Sequence, residues 1–428
     1  MYLILIALML SPLYLWKSGL PQASHILAAV AVGYRYTITK PKQFYFEKAW
    51  LLQVFFLAYS FLVAVIVYIA HSDINTLLAP LYYLFGFIIY VEILTIYAER
   101  GKKFLTYVLL LHIIVLFVVT ACSLSGIGRS IISASDGVRM MLAFNNPNQL
   151  ANWAIWFVVI ISCTGRAVYR TWLPGLLSLV VASVLIFYSL SRSGFVGIAV
   201  LVAFYAALGL KNLRSWYINY QNRSMKRFLL IITIIVLSLI VLVMVVMMLN
   251  YLDNASTGIA DLDKIVNRVV NTDFNRQINL RGYDRLWKYP EYLFFGAGEG
   301  ARGRFAEKTA FVKHEVHSTW AGLLFNYGLV GFALFSGFII SILKKIKLIW
   351  FKLILLAPFF FGFTNYNVRN WYFWVGLALV YGSALLMQED EYGEPRSGLI
   401  DVGVLAKNVI KKMESILNRL FKKEKTTI

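Results

Sequence analysis

Long apolar runs recur through most of this 428-residue chain, and they leave few folds open. Each run is about 18 residues or more, enough to cross a ~30 Å hydrocarbon core as a helix. A helix satisfies its backbone N–H and C=O groups within the segment, which lipid requires. Apolar residues make up 60% of the chain and charged residues only 14%, so little is left over for a soluble core. The expected fold is therefore all-α, a polytopic integral membrane protein. Cys122 and Cys163 give neither a disulfide framework nor metal-ligand spacing. The first run, Tyr2 to Trp16, lacks a charged n-region and a small-residue cleavage site, and reads as a first span and signal anchor.

Hydropathy and breaker residues place about twelve spans, near residues 2–16, 21–38, 49–71, 75–98, 103–123, 148–164, 171–190, 194–210, 227–250, 317–343, 348–364 and 370–387. Spans 1–9 occupy residues 1–250, a large extracytoplasmic loop takes 251–316, spans 10–12 take 317–387, and a cytoplasmic tail takes 388–428. Charge placement orients them. Eighteen Lys and Arg fall in the short connections on one side, while the short connections on the other side hold only Lys17, Arg129, Arg139, Arg192 and Arg369; the long loop is set aside, since long loops translocate regardless of charge. The positive-inside rule then puts both termini in the cytoplasm. The formal charge of +20 is thus mostly a topology signal and does not indicate nucleic acid. In the long loop, Ile259, Leu262, Ile265, Val266 and Val269 recur at helical spacing and predict an amphipathic helix. The tail carries an apolar stripe from Val402 to Leu420 among lysines, which predicts an interfacial helix against anionic lipid or a partner-binding helix.

Four polar places gather on the outer side. The stretch Asp136 to Trp153 contains F-N-N-P-N-Q-L-A, whose Asn146, Asn148 and Gln149 offer amides to sugar hydroxyls. The plainer reading is a helix cap, with Asn145 or Asn146 capping and Pro147 in the first turn. The turn S-L-S-R-S-G holds Arg192, either a snorkelling cation or an anion seat ringed by hydroxyls. In the loop, R-G-Y-D-R-L-W supplies Arg281 and Arg285 ahead of G-A-G-E-G, which follows no strand and so is no nucleotide fingerprint. N-Y-N-V-R-N-W carries Arg369.

His317 and Ser318 open the run at 317–343. At the first turn of an outward-facing helix the macrodipole disfavours imidazolium, which leaves the neutral ring a general base needs. A headgroup-level histidine with no chemical role is the alternative. His25, His71, His112 and His314 have no comparable setting, and Glu92 with His112 reads as a structural pair. No H-E-x-x-H motif is present, and neither a catalytic metal nor a cofactor is expected.

These motifs resemble the bacterial O-antigen ligase and O-antigen polymerase superfamily of membrane glycosyltransferases. The sharpest match is H-S-x9-G-x-x-G, with His317, Ser318, Gly328 and Gly331 in place. F-N-N-P-N-Q-L-A, S-R-S-G and R-x-W (Arg285, Trp287) occur in the family's order, and the likeness covers about Arg139 to Trp374. The resemblance implies a GT-C-like fold and transfer of an undecaprenyl-diphosphate-linked glycan to an acceptor on the outer face of the bacterial inner membrane. It implies His317 as base, Arg192 with Arg281 or Arg285 on the diphosphate, and Arg139 and Arg369 as further candidates. Asn146, Asn148, Gln149 and Ser318 are the expected glycan or acceptor contacts. The acceptor is a second lipid-linked repeat unit for a polymerase, the favoured reading, or lipid A-core for a ligase. A chain-length regulator is a possible partner. A transporter or lipid flippase is the contrasting class, and it would favour inverted repeats, which are not visible in the sequence. The motif's glycines are expected to lie deep in the His317 helix and to permit helix packing.

Overall fold

A computed structural model describes residues 1–16, 20–39, 43–125, 141–218, 281–305, 315–393 and 399–401. The helices are α1 (Tyr2–Met9), α2 (Ala23–Tyr34, continued by a π turn over Arg35–Thr39), α3 (Trp50–His71), α4 (Asn75–Arg100) and α5 (Lys102–Leu124). They continue as α6 (Pro147–Tyr169), α7 (Leu173–Ser189), α8 (Arg192–Ile218), the short α9 (Arg285–Lys288) and α10 (Thr319–Lys345). Last come α11 (Ile349–Leu353), α12 (Leu356–Phe361) and α13 (Trp371–Tyr392). Among the described residues seven helices are long and apolar enough to span a membrane, namely α3 to α6, α8, α10 and α13. Two shorter apolar stretches, Leu173–Ser189 and Ile349–Phe361, accompany them.

Several expectations need adjusting. The run at 2–16 folds as an eight-residue helix, roughly 12 Å long, and then turns, so it is too short to cross by itself. Its polar neighbours explain the turn. Ser11 Oγ bonds the Tyr372 hydroxyl at 3.0 Å, and the Gln22 side chain accepts from the Leu15 and Trp16 amides. The structure also contains a small sheet, β1 (Gln43–Tyr45) antiparallel to β2 (Leu399–Asp401), which brings the start of the tail back to the loop before α3. The span expected at 227–250, the loop helix at 259–269 and the tail helix lie outside the described residues, as does Arg139.

Two helices form the centre. The apolar spans of α6 and α13 are 94% buried, whereas the other five are between 39% and 56% buried and turn a face to lipid. In lipid such helices associate by close contact rather than by transfer from water. Gly376 of α13 accordingly lies against the Trp156 ring of α6, and Gly86 of α4 against Trp374; a Cβ at either glycine would overlap the indole.

Helix α10 is broken at Gly328, which takes φ 62° and ψ −172°. The break removes the ladder bonds that would join Phe325 to Leu329 and Asn326 to Val330. A loop restores all four groups. Ala297 and Gly298 donate to the Phe325 and Asn326 carbonyls at 2.8 and 2.7 Å, while Leu329 and Val330 donate to the Leu293 and Phe294 carbonyls at 2.8 and 3.4 Å. Irregular backbone at membrane depth is tolerated only when protein satisfies it in this way. G-A-G-E-G is thus a wedge in the helix. Gly328 contacts this wedge rather than a neighbouring helix, which corrects the helix-packing role expected of it.

Candidate functional site

The helix ends sort into two groups. At one end, Ala301 N–H donates to Asp73 Oδ2 at 2.6 Å, Ser191 Oγ donates to Asn148 Oδ1 at 2.9 Å, and Thr364 and Asn365 both donate to Ser193 Oγ. At the other end, Lys345 pairs with Glu47 at 2.6 Å, and Arg170 pairs with Asp390. Asn148 and Asn365 of the first group line a cavity of about 440 Å³, within the range for small-ligand sites. His317, Asn146, Asn148, Gln149 and Arg369 line it, as do Asn152, Asn365, Asn367 and Asn370. Tyr14, His25, Tyr82, Arg302, Glu315 and Tyr366 complete the polar wall.

Local structure explains most of these positions. Asn146 caps α6, its Oδ1 accepting from Asn148 N–H at 2.8 Å with Pro147 in the first turn. The cap reading therefore holds for Asn146, and the same residue also faces the cavity. Ser318 caps α10, accepting from Ala321 N–H at 3.2 Å, so His317 stands one residue outside the helix rather than in its first turn. The His317 N–H donates to the Arg281 carbonyl at 2.8 Å, which fixes the backbone on which the ring is carried. Ser318 is 1% exposed and does not line the cavity.

The arginines divide. Arg192 opens α8, half-buried between Ser191 and Ser193, the two hydroxyls that bond cavity-wall residues on opposite sides. Arg281 donates to the Thr364 carbonyl and so ties the loop to the turn before α13. Neither Arg192 nor Arg281 is on the cavity wall itself. Arg285 is 2% exposed, with its guanidinium 5.1 Å from the Phe305 ring centre, and burial pushes its pKa down. It belongs to a small core of the loop with Tyr289, Phe305, Val316 and Phe325. Arg369 is on the wall, but two carboxylates hold it. Glu299 Oε2 lies 3.3 Å from its Nε, Glu315 pairs with its Nη2, and its guanidinium lies 4.4 Å from the Tyr366 ring centre.

Glu299 is the hub behind the wall. Its Oε1 accepts from the hydroxyls of Tyr327 at 3.0 Å, Tyr366 at 2.9 Å and Tyr83. Glu315 also pairs with Arg302 at 3.2 Å. Burial tends to raise the Glu315 pKa, but Arg369, by charge and hydrogen bond, then Arg302 and His317 by charge, outweigh it and hold the acid at about 2.

A family model described as O-antigen ligase matches residues 177–336. Those residues belong to the O-antigen ligase and polymerase superfamily. No curated protein matches the chain at a significant level. The superfamily consists of glycosyltransferase-like membrane enzymes. The O-antigen ligase domain takes in Arg192, Arg281, Arg285, Arg302, Glu315 and His317. The asparagine wall and Arg369 reach the same cavity from outside it, on α6 and on the turn before α13.

Sequence reasoning missed Tyr14, His25 and Tyr82, and did not single out Arg302 or Glu315. The sequence surroundings of His25 lack the H-S-x9-G-x-x-G pattern and the long polar loop that single out His317, yet the fold brings it to the same wall. Arg302 and Glu315 carried none, since they are two charges among many in a polar loop.

Proposed function

We propose that the protein is a membrane glycosyltransferase of about twelve spans and GT-C-like architecture. It transfers a glycan from undecaprenyl diphosphate to an acceptor at the periplasmic face of the bacterial inner membrane. One observation carries this reading: His317, in the matched domain, opens into a cavity walled by amides and hydroxyls, the groups that recognise sugars.

In this reading neutral His317 takes the proton of the acceptor hydroxyl as its oxygen attacks the anomeric carbon. The bond from that carbon to the diphosphate oxygen breaks, and direct attack inverts the configuration. The departing diphosphate carries the developing charge, and guanidinium groups neutralise it without a metal. Arg192 suits this role because it stands between two hydroxyl anchors of the wall, and Arg302 joins it as a cation on the wall. Arg281 supports the His317 backbone, and Arg369 positions Glu315. Asn146, Asn148 and Gln149 favour a second lipid-linked repeat unit as acceptor, hence polymerisation. The histidine motif and the ligase description of the matched model favour lipid A-core instead.

The test is reconstitution of the full chain with a lipid-diphosphate donor and each acceptor in turn. Extension of lipid-linked repeats supports the polymerase, and transfer to lipid A-core the ligase. His317→Ala should lose at least about 100-fold in rate with the fold intact. Turnover of that variant at the wild-type rate removes His317 from the chemistry.

A further inference from the structure

The cavity that His317 lines holds a second histidine, His25, the third residue of α2. One hydrogen bond fixes where its proton sits. The Gln22 backbone N–H, which can only donate, reaches His25 Nδ1 at 2.8 Å. Nδ1 therefore carries the lone pair and Nε2 carries the proton. Protonating Nδ1 would set two donors against each other, so the ring is held neutral with its basic nitrogen already engaged. It is not a base for an acceptor hydroxyl.

The other polar atom of the ring, Nε2–H, has no acceptor among the described residues. Phe85 and Trp371 meet the ring edge to face, with centroids 5.7 and 5.4 Å away, which fixes its plane. A helix cap alone does not ask for this, since Glu or Gln at the third position makes the same backbone bond with no ring to clamp. Tyr14 and Leu20 precede α2, Tyr82 lies one turn from Phe85 on α4, and Asn370 adjoins Trp371. All four line the cavity and none is charged. The charged groups of the wall, Arg302, Glu315 and Arg369, pair with one another. A neutral donor among uncharged neighbours matches the uncharged oxygens of a sugar, whereas a diphosphate draws cations.

We infer that His25 contacts the glycan, donating from Nε2–H to an uncharged sugar oxygen, and holds it while His317 moves the proton. This rests on the reading of the cavity as a glycan site.

The test measures binding rather than turnover, using the full chain in detergent with His317→Ala as background. The two probes are the lipid-diphosphate-linked glycan from cells lacking this gene, and undecaprenyl diphosphate without glycan. The background chain should prefer the glycan-bearing probe. His25→Phe keeps a ring for Phe85 and Trp371 but loses the donor, and should cost about five- to tenfold in affinity for that probe, the value of one hydrogen bond. Its affinity for the bare diphosphate should not change. His25→Glu can keep the bond from Gln22 but offers no donor, and should lose the preference as His25→Phe does. His25→Gln can accept from Gln22 and still donate into the cavity, and should retain it. A preference that survives in His25→Glu assigns His25 to the cap alone and overturns the inference, as do equal losses for both probes. The Glu variant decides the matter even if His25→Phe fails to fold. Equal binding of the two probes by the background chain overturns the glycan reading itself, an outcome that no His25 variant enters.

Discussion

Arg369 shows what a single residue does at the site. It stands between Glu299 and Glu315, so it balances two acids rather than waiting for a substrate anion. Glu315 is held at about 2, below its ordinary 4.5. A carboxyl depressed in this way contributes stability that is complete above the unfolded value and is lost as pH falls from about 4.5 toward 2. Replacing Arg369 with Met leaves Glu299 without its cation and Glu315 with Arg302 alone. Thermal melting in detergent at pH 7 should then show a loss of about 3 kcal/mol. The gap to wild type should narrow between pH 6 and pH 4, as Glu315, no longer held down by Arg369, protonates. An unchanged gap across that range would mean that the acids find other partners. Arg192 makes the opposite case. Arg192→Lys keeps the charge but loses the planar two-point grip, so transfer from the lipid-diphosphate donor should fall at least about tenfold. An unchanged rate would return Arg192 to a snorkelling role. These residues were legible in the sequence because a polar group at the end of an apolar run is conspicuous. Glu299 was not, because its tyrosines come from Tyr83, Tyr327 and Tyr366, and no spacing along the chain announces that meeting.

At the scale of the element, α10 is the informative case. Its apolar run was legible as a span, and its two glycines were legible as special, but the break was not. The donors and acceptors that make it tolerable belong to residues 293–298, which read only as a glycine-rich loop. The difference is testable by paired substitutions in one helix. At Gly328 the backbone is left-handed, and an added Cβ would run into the Phe294 carbonyl. At Gly337 an added Cβ would meet only Leu52 Cδ1, at an ordinary 3.4 Å. Gly328→Ala should therefore cost at least about 3 kcal/mol, from positive φ and steric overlap together, and lower the yield of monodisperse protein. Gly337→Ala should leave the melting temperature within about a degree or two of wild type, since Ala also favours the helix. Equal tolerance at both positions would mean that the loop does not occupy the break.

At the scale of the whole molecule, charge asymmetry and helix contacts arrive independently at the same two-ended object. The positive-inside count assigns Lys102, Arg170 and Lys345 to one side, and the structure gathers Arg170 with Asp390 and Lys345 with Glu47 at one end. Asp73, Ser193, Arg281 and Thr364 meet at the other end, around the His317 cavity. Contacts alone fix which loops share a side; only the charge rule says which side faces outward. Cysteine labelling separates the two statements. In a background with Cys122 and Cys163 replaced by Ala, Gly303→Cys places a thiol on an exposed turn with open space around the new side chain. Lys102→Cys places one at the opposite end of the bundle. A membrane-impermeant maleimide should label position 303 in intact spheroplasts and position 102 only after lysis. The reverse pattern would keep the fold but invert the orientation, moving the cavity to the cytoplasm, where a periplasmic acceptor could not reach His317. Labelling of both from the outside would break the two-ended arrangement itself, because α4 would no longer carry the chain from the His317 cavity to the far face of the membrane.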